Sequence, residues 1–427
     1  MNICIYRFLT VLLSPVIDLF LFVRKLKNKQ DPAKYKERFG YATEKKPKGK
    51  LIWLHAASLG EANAILPVVE EILKKYEKKV SILFTTISFN TTEAVQKKLS
   101  KYNVIYQYAP VDKYFVIKRF LKHWKPDLLL MTESEFWPNM VTMTKEQGAK
   151  IIVINGKITE KTLNKWKTRP TLKRQVFDCV DFCFPQSTEN MRNFLQIGVQ
   201  EMNYVGNLKF DVPTLKSEAA KVKELKGFVQ DRTVVMAAST HNPEEKMVAK
   251  MHINLKKKYK DLLTFVILRH PKRMEEVYNM LTKELKLKVA VRSKNEKVTK
   301  TTDIYLCDTM GEMGNFFTVG ETILMCGSLV DNIGGHTPVE PAKLNCAVVS
   351  GPREYIFNGI SLYTELEKND ACIICEKVSD VEKTISMLLG DKNKRHELMK
   401  NAYVLTQGMV NVSGKILKIL EDKKFLN

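Results

Sequence analysis

The residue in this sequence best placed to do chemistry is Glu61, in the stretch Trp53-Leu-His-Ala-Ala-Ser-Leu-Gly-Glu61. Leu51 to His55 reads as a buried strand. Ala62 onward reads as a helix whose apolar face is Ala62, Ile65, Leu66, Val69, Ile72 and Leu73. The small residues Ala56, Ala57, Ser58 and Gly60 then form the turn between them, where backbone can approach a ligand. Such a turn lies at the carboxyl end of a strand, the edge at which open α/β sheets bind ligands. A carboxylate at the mouth of that helix is a candidate general base; its plainer role is that of a first-turn acid complementing the helix dipole.

A second acidic group follows the strand-like run Leu128–Met131: Thr132-Glu133-Ser134-Glu135-Phe136-Trp137-Pro138-Asn139. Glu133 and Glu135 would bring further acid to the same sheet edge, and neighbouring carboxylates push one pKa up toward the range a base needs. The alternative makes Glu135 a structural pairing residue. Lys209, in Gly206-Asn-Leu-Lys-Phe-Asp211, can neutralise a leaving phosphate or a substrate carboxylate, although a lone lysine in a basic chain is more often surface charge. Three later loops each follow a strand. Arg269-His270-Pro-Lys-Arg273 is cationic and precedes a helix, which suits an anion. Asp308-Thr-Met-Gly311-Glu312-Met313-Gly314 is a glycine-flanked turn. In Gly327–Ala342 the pair Gly334-Gly335 is expected to expose backbone amides at a helix start, with Glu340 able to accept from ribose hydroxyls. Three such loops on one edge point to a nucleotide.

The elements that must position these residues alternate. Short apolar runs at Leu51–His55, Val80–Thr85, Val104–Tyr108, Leu128–Met131, Ile151–Asn155 and Phe182–Phe184 are mostly followed by amphipathic helices. After a pause near 210–232 the rhythm restarts at Val234–Ala238, Leu263–Leu268, Ile304–Cys307, Thr322–Cys326, Cys346–Val349 and Ala371–Ile374. The pattern predicts α/β architecture: two Rossmann-like domains with parallel sheets, and a cleft between them as the small-molecule site. The balance of 69 Lys+Arg against 47 Asp+Glu, a formal charge of +22 in 427 residues, calls for an anionic partner. The eight cysteines have no disulfide or zinc-ribbon spacing and read as buried thiols. The seven histidines are scattered, and no Asp-x-Asp, Walker A or G-x-G-x-x-G element occurs, so no metal site is expected. Ile3 to Val23 is apolar apart from Arg7, Thr10, Ser14 and Asp18, carries Pro15, and runs into Arg24-Lys-Leu-Lys-Asn-Lys29. It reads as a membrane anchor, a poor span or a monotopic one, with the basic run against anionic lipid.

Seven motifs taken in order resemble a known family: Trp53–Glu61, Glu133–Asn139, Gly206–Asp211, Ser239-Thr-His241, Arg269-His-Pro271, Gly311-Glu-Met313 and Gly334–Ala342, with Arg38-Phe-Gly40 before them. The family is the 3-deoxy-D-manno-octulosonate (Kdo) transferases of lipopolysaccharide synthesis, and the likeness covers nearly the whole chain. The resemblance implies an inverting GT-B glycosyltransferase, without metal or cofactor, moving Kdo from CMP-Kdo to the lipid A precursor lipid IVA. It implies Glu61 as base and Glu133 and Lys209 as stabilisers of the transition state. Arg269 and His270, Gly311, Glu312 and Met313, and Thr337, Pro338, Val339 and Glu340 would hold CMP. The implied domains are an anchor over 1–25, an acceptor-binding domain over 30–212, a linker over 213–230 and a CMP-sugar domain over 231–427. The last helices, from about 390, would pack back on the first domain. The implied place is the cytoplasmic face of the inner membrane, against anionic lipids. Thr337 stands where the family has Asn, and Lys157 where Arg is usual. The nearest rival is another GT-B enzyme using a UDP-sugar. A nucleic-acid-binding protein would need basic residues interleaved with aromatics, which are missing.

Overall fold

Residues 1–26, 34–76, 79–87, 89–229, 232–357 and 359–426 are described in the computed structural model. They form two compact units, Met1–Val212 with Asn411–Asn427, and Pro213–Val410.

In the first unit, six parallel strands are β1 (Lys50–His55), β2 (Val80–Thr86), β3 (Val104–Tyr108), β4 (Leu128–Thr132), β5 (Lys150–Gly156) and β6 (Phe182–Pro185), in the order β3-β2-β1-β4-β5-β6. Their sequences are continuous apolar runs because both faces are covered. Alternate residues of β1 enter different cores. Ile52 and Leu54 pack with Ile65 and Val69 of the helix Leu59–Tyr76 and with Val412, Ile416 and Leu420 of the helix Val412–Asp422. Leu51 and Trp53 pack with Ile117, Phe120 and Trp124 of the helix Tyr114–Trp124. The register pairs His55 with Met131, so β1 and β4 finish side by side. The strand order reverses between them. The chain therefore leaves these two ends in diverging directions, and the loops after His55 and Thr132 flank an open crevice.

Of the C-terminal helices, Val412–Asp422 belongs to the first unit, while Lys392–Gly408 stays in the second. Asp211 fixes the former, accepting the backbone N–H of Val412 at 2.9 Å and of Ser413 at 2.5 Å.

The anchor expected over 1–25 is not a single spanning helix. Among the described residues no single helix is long and apolar enough to cross a membrane, and Ile3–Leu12 is bent by 56° from the helix that follows it. Pro15 lies at the second residue of that next helix, where its missing N–H is tolerated but the preceding helix cannot continue through it. The first helix docks on the unit through polar groups. Tyr6 donates to Asp112 at 2.9 Å, Arg7 pairs with Glu146 at 2.6 Å, and the Ile3 N–H donates to Gln175. Phe8, Leu12, Leu13, Val16 and Leu19 stay exposed. The basic run beyond Leu26, and the expected domain start at 30, lie outside the described residues.

In the second unit, seven parallel strands are β7 (Val234–Thr240), β8 (Leu263–Leu268), β9 (Val289–Val291), β10 (Ile304–Cys307), β11 (Thr322–Met325), β12 (Ala347–Ser350) and β13 (Cys372–Ile374), in the order β13-β12-β11-β7-β8-β10-β9. The reversal here falls between β7 and β11. From Ala219 the expected linker is a helix, Ala219–Val229, within this unit; Leu225 is buried, with Met236 and Phe316 in the same core. All eight cysteines are free thiols, and six are buried.

Candidate active site

The helix after β1 starts at Leu59, so Glu61 sits in its first turn. Ser58-Leu-Gly-Glu61 has the spacing of a capping box, and part of that geometry forms. Ser58 Oγ accepts the Glu61 N–H at 3.2 Å and donates to Glu61 Oε1 at 2.9 Å, while the Ala57 N–H donates to Oε2 at 3.0 Å. A cap would need nothing more. Here the Thr132 hydroxyl, from the end of β4, also donates to Oε2 at 2.8 Å. The switch point has therefore brought β4 onto the same carboxylate. Burial raises the Glu61 pKa, the charges of Glu133 and Glu135 raise it further, and the donors from Thr132 and Ala57 restrain the rise.

Glu133 occupies the left-handed region, at φ 49°. For a non-glycine residue that costs about 1–2 kcal/mol, and β5 enforces it. The Glu133 N–H donates to the Ile154 carbonyl at 3.1 Å, and its own carbonyl accepts from the Lys157 N–H at 3.1 Å. The side chain meets Lys209, with Nζ to Oε1 at 2.6 Å. Lys209 is held in a short 3-10 turn, Leu208–Phe210. Asn155 Oδ1 accepts the Leu208 N–H, Asn207 Oδ1 accepts the Lys209 N–H, and Asp211 clips the turn to the C-terminal helix. Glu135 faces away to another partner set: His55 Nε2 lies 3.6 Å from Oε2, and Trp137 Nε1 donates to the same oxygen at 2.7 Å. Burial alone would push Glu135 up; His55 and Trp137 outweigh it, and its pKa lies below the usual carboxylate value. His55 is fixed in turn by Thr85, which also accepts from Trp53 Nε1. A cavity of ≈ 360 Å³ reaches from His55 and Trp137 to Ile17, Leu21 and Met140 beneath the N-terminal helices.

Glu61, Glu133 and Lys209 are thus brought together in the first unit. The roles of Thr132, His55 and Asp211 were not read from the sequence. Only Ser58-x-x-Glu61 carries a local signal, the spacing of a capping box, and it points to a cap rather than to these partners.

In the second unit the loops after β7, β8 and β11 converge on three histidines. His241 Nε2 and His336 Nε2 lie 2.9 Å apart, and the His270 ring meets His241 edge-on at 5.3 Å. Burial first lowers both members of the close pair; His270, Arg269 and Arg273 add to it at His241, and His241, Arg269 and His270 at His336, which falls to about 4. Arg269 and His270 are exposed, and the Arg269 charge restrains the rise that burial imposes on Glu340. The buried Glu244, not singled out in the sequence, accepts N–H groups of Gly327, Leu329 and His241 and so ties the loops together.

Two sequence expectations change here. The Gly334-Gly335 pair is buried, its Gly335 N–H donates to the Gly327 carbonyl at 2.8 Å, and the helix begins only at Val339, so this amide is not open to a phosphate. The Glu312 carboxylate is committed to a bidentate pair with the buried Arg292, at 2.9 and 3.1 Å, and to Thr309. Arg292 is the main reason its pKa falls to about 2. What Gly311–Met313 presents is therefore the exposed glycine and a half-buried Met313, shaped by that ion pair. Thr337 Oγ1 accepts the Val339 N–H at 3.4 Å, while Pro338 and Val339 are buried. Among the described residues no group of three or more His, Cys, Asp or Glu side chains is arranged to hold a metal ion.

Residues 33–212 match the family model described as 3-deoxy-D-manno-octulosonic-acid transferase (kdotransferase). The chain is 31% identical over 355 residues to "Probable 3-deoxy-D-manno-octulosonic acid transferase, mitochondrial" of Arabidopsis thaliana, covering 81% of this chain and 79% of that one. It is 29% identical over 418 residues to a 3-deoxy-D-manno-octulosonic acid transferase of Rickettsia bellii, covering 97% of this chain and 96% of that one. A solved structure of a putative UDP-N-acetylglucosamine 2-epimerase from Listeria monocytogenes superimposes with a TM-score of 0.59 at 12% identity, over 89% of this chain and 98% of that one, which speaks to the fold alone.

Proposed function

We propose, from the premise that this chain belongs to the 3-deoxy-D-manno-octulosonic acid (Kdo) transferases, that it moves Kdo from CMP-Kdo to lipid IVA with inversion at the anomeric carbon. Kdo transfer is the activity that membership gives; the acceptor, the stereochemistry and the residue roles are our reading. The observation that carries it is the first-turn Glu61, half-buried, bonded by Thr132 from a second strand, and adjoined by the Glu133–Lys209 pair.

In this reading Glu61 takes the proton of the acceptor hydroxyl as that oxygen attacks the anomeric carbon. Its raised pKa makes it a stronger base than an exposed glutamate. Lys209, held by Glu133, brings positive charge to the side where the phosphate and the Kdo carboxylate carry negative charge. Arg269 and His270 take the phosphate end of CMP, Gly311 and Met313, shaped by the Glu312–Arg292 pair, the nucleoside, and Glu340, with Thr337, Pro338 and Val339 before it, the ribose. The set needs no metal ion. The exposed Phe8, Leu12, Val16 and Leu19 suit helices lying in the membrane interface, on the cytoplasmic face of the inner membrane. The apolar cavity beneath them suits an acyl chain of the acceptor. A net charge of +22 favours anionic lipid and a phosphorylated acceptor.

The test is to incubate the purified chain with lipid IVA and CMP-Kdo generated in situ, with EDTA present, and weigh the lipid. A gain of one or more Kdo units supports the reading. No gain with lipid IVA, but transfer from a UDP-sugar, would replace it.

A further inference from the structure

We infer that Thr132 is a positioning residue for the transfer: its hydroxyl holds Glu61 Oε2 so that Oε1 takes the acceptor's proton. The inference rests on the reading of Glu61 as base.

The argument is one of counting protons. Thr132 Oγ1 lies 2.8 Å from Glu61 Oε2 and 3.1 Å from the His55 carbonyl oxygen, and a hydroxyl has a single proton to give. With Glu61 ionised, the charged acceptor takes it, since hydrogen bonds to ionised groups are the stronger kind. Oε2 then holds two donors, Thr132 and the Ala57 N–H, and Oε1 holds the hydroxyl of the exposed Ser58. Oε1 is therefore the oxygen on the open side, and Oε2 the one fixed to the sheet. Transfer adds a proton to this carboxylate. The acceptor O–H proton goes to Oε1, the acceptor oxygen bonds to the anomeric carbon, and that carbon's bond to the CMP phosphate oxygen breaks, its electron pair leaving with the phosphate. Oε2 is then a weaker acceptor, and the Thr132 hydroxyl can turn to the His55 carbonyl without being left unpaired. The buried end of Glu61 is satisfied before and after the proton arrives, and no side chain needs to move.

Thr132 is fully buried, so it does not touch the acceptor, and its loss should fall on kcat rather than KM. The test compares Thr132→Val, equal in shape but without the hydroxyl, with Thr132→Ser, which keeps it; Thr132→Ala replaces the valine variant if that does not fold. The readout is the pH profile of Kdo transfer. With one donor to the carboxylate removed, the acidic limb should move up by about one pH unit. kcat at the optimum should fall roughly tenfold with KM unchanged. The serine variant should bring the limb back to within a few tenths of a unit. A merely structural threonine would lower the melting temperature without moving the limb. An unmoved limb and unchanged kcat in T132V, in a chain where Glu61→Gln is inactive, would overturn the role of Thr132 and leave the base standing. An active E61Q would remove the base, and this inference with it.

Discussion

Replacing Glu61 by Gln isolates the proton transfer from everything else that this carboxylate does. The carbonyl oxygen of the introduced amide can take the place of Oε2 and accept from Ala57 and Thr132. Its NH₂ group then faces Ser58 Oγ, which can accept from it. The turn should therefore survive. Removing a half-buried negative charge beside Glu133 and Glu135 relieves a strain that ionisation imposes. A raised folded-state pKa means that stability from this group is fully present below its unfolded value and is lost as the pH rises through the raised one. At neutral pH the melting temperature should therefore hold or rise. Binding of CMP, which we propose engages residues of the second unit, should be unchanged. Transfer should not survive. General-base catalysis contributes roughly 10²–10⁴-fold, about 3–5 kcal/mol of barrier. The upper end is expected here, because neither hydroxyl on the carboxylate, that of Thr132 or that of Ser58, is a base at neutral pH. The assay is kcat/KM for Kdo transfer as a function of pH, with calorimetric CMP binding and thermal melting alongside. The parent should lose activity as pH falls through the raised Glu61 pKa, and E61Q should lack that limb. A folded E61Q that transfers within about tenfold of the parent would refute the assignment.

Three further outcomes follow from the same contacts. Lys209→Ala leaves the part-buried Glu133 carboxylate without its cation; stability should drop by about 1–3 kcal/mol, discounted for partial exposure, and a double-mutant cycle with Glu133→Gln should show strong coupling in kcat. Asp211→Ala removes the acceptor for Val412 and Ser413 at a helix start, worth about 1–2 kcal/mol, so the melting temperature should fall by several degrees while CMP binding is kept. Glu312→Gln breaks the pair with buried Arg292 and should cost about 3 kcal/mol at pH 7. Because the Glu312 pKa is depressed to about 2, that stabilisation is present above the ordinary glutamate value and lost as pH falls toward 2, so acid unfolding of the variant should be flatter there.

The legible part of this molecule was whatever local sequence determines. Each strand that the apolar runs predicted was found, with ends shifted by a residue or two, because a strand buried on both faces announces itself by composition. The one missed, Val289–Val291, is three residues long between Lys288 and Arg292 and too short to give a pattern. The acids and the lysine were visible as residue types after strands. What sequence could not give was which donor each acid meets. Thr132 reaches Glu61 across 71 positions, and Asp211 reaches Val412 across 201; both pairings exist only once the sheet order is set. The Gly334-Gly335 reading failed for the same reason. A glycine pair signals backbone freedom, but whether its amide is open depends on the carbonyl that folding brings to it, here that of Gly327.

The arrangement also explains why one site needs three glutamates. At a switch point two strand ends lie side by side, and acids following both share one crevice. If all three were equally solvated and unpaired, their mutual repulsion would only raise each pKa, and none would be distinguished. Partners break that symmetry. Glu133 is given a lysine, and a strained backbone keeps it there. Glu135 is given His55 and Trp137, which hold it ionised. Glu61 is given only neutral donors, so it keeps the full effect of burial and of its two charged neighbours, and its proton affinity rises. In the proposed mechanism the two acids that do not take the proton thus act on the one that does, and neutralising Glu135 should weaken Glu61 as a base even though the two share no hydrogen bond.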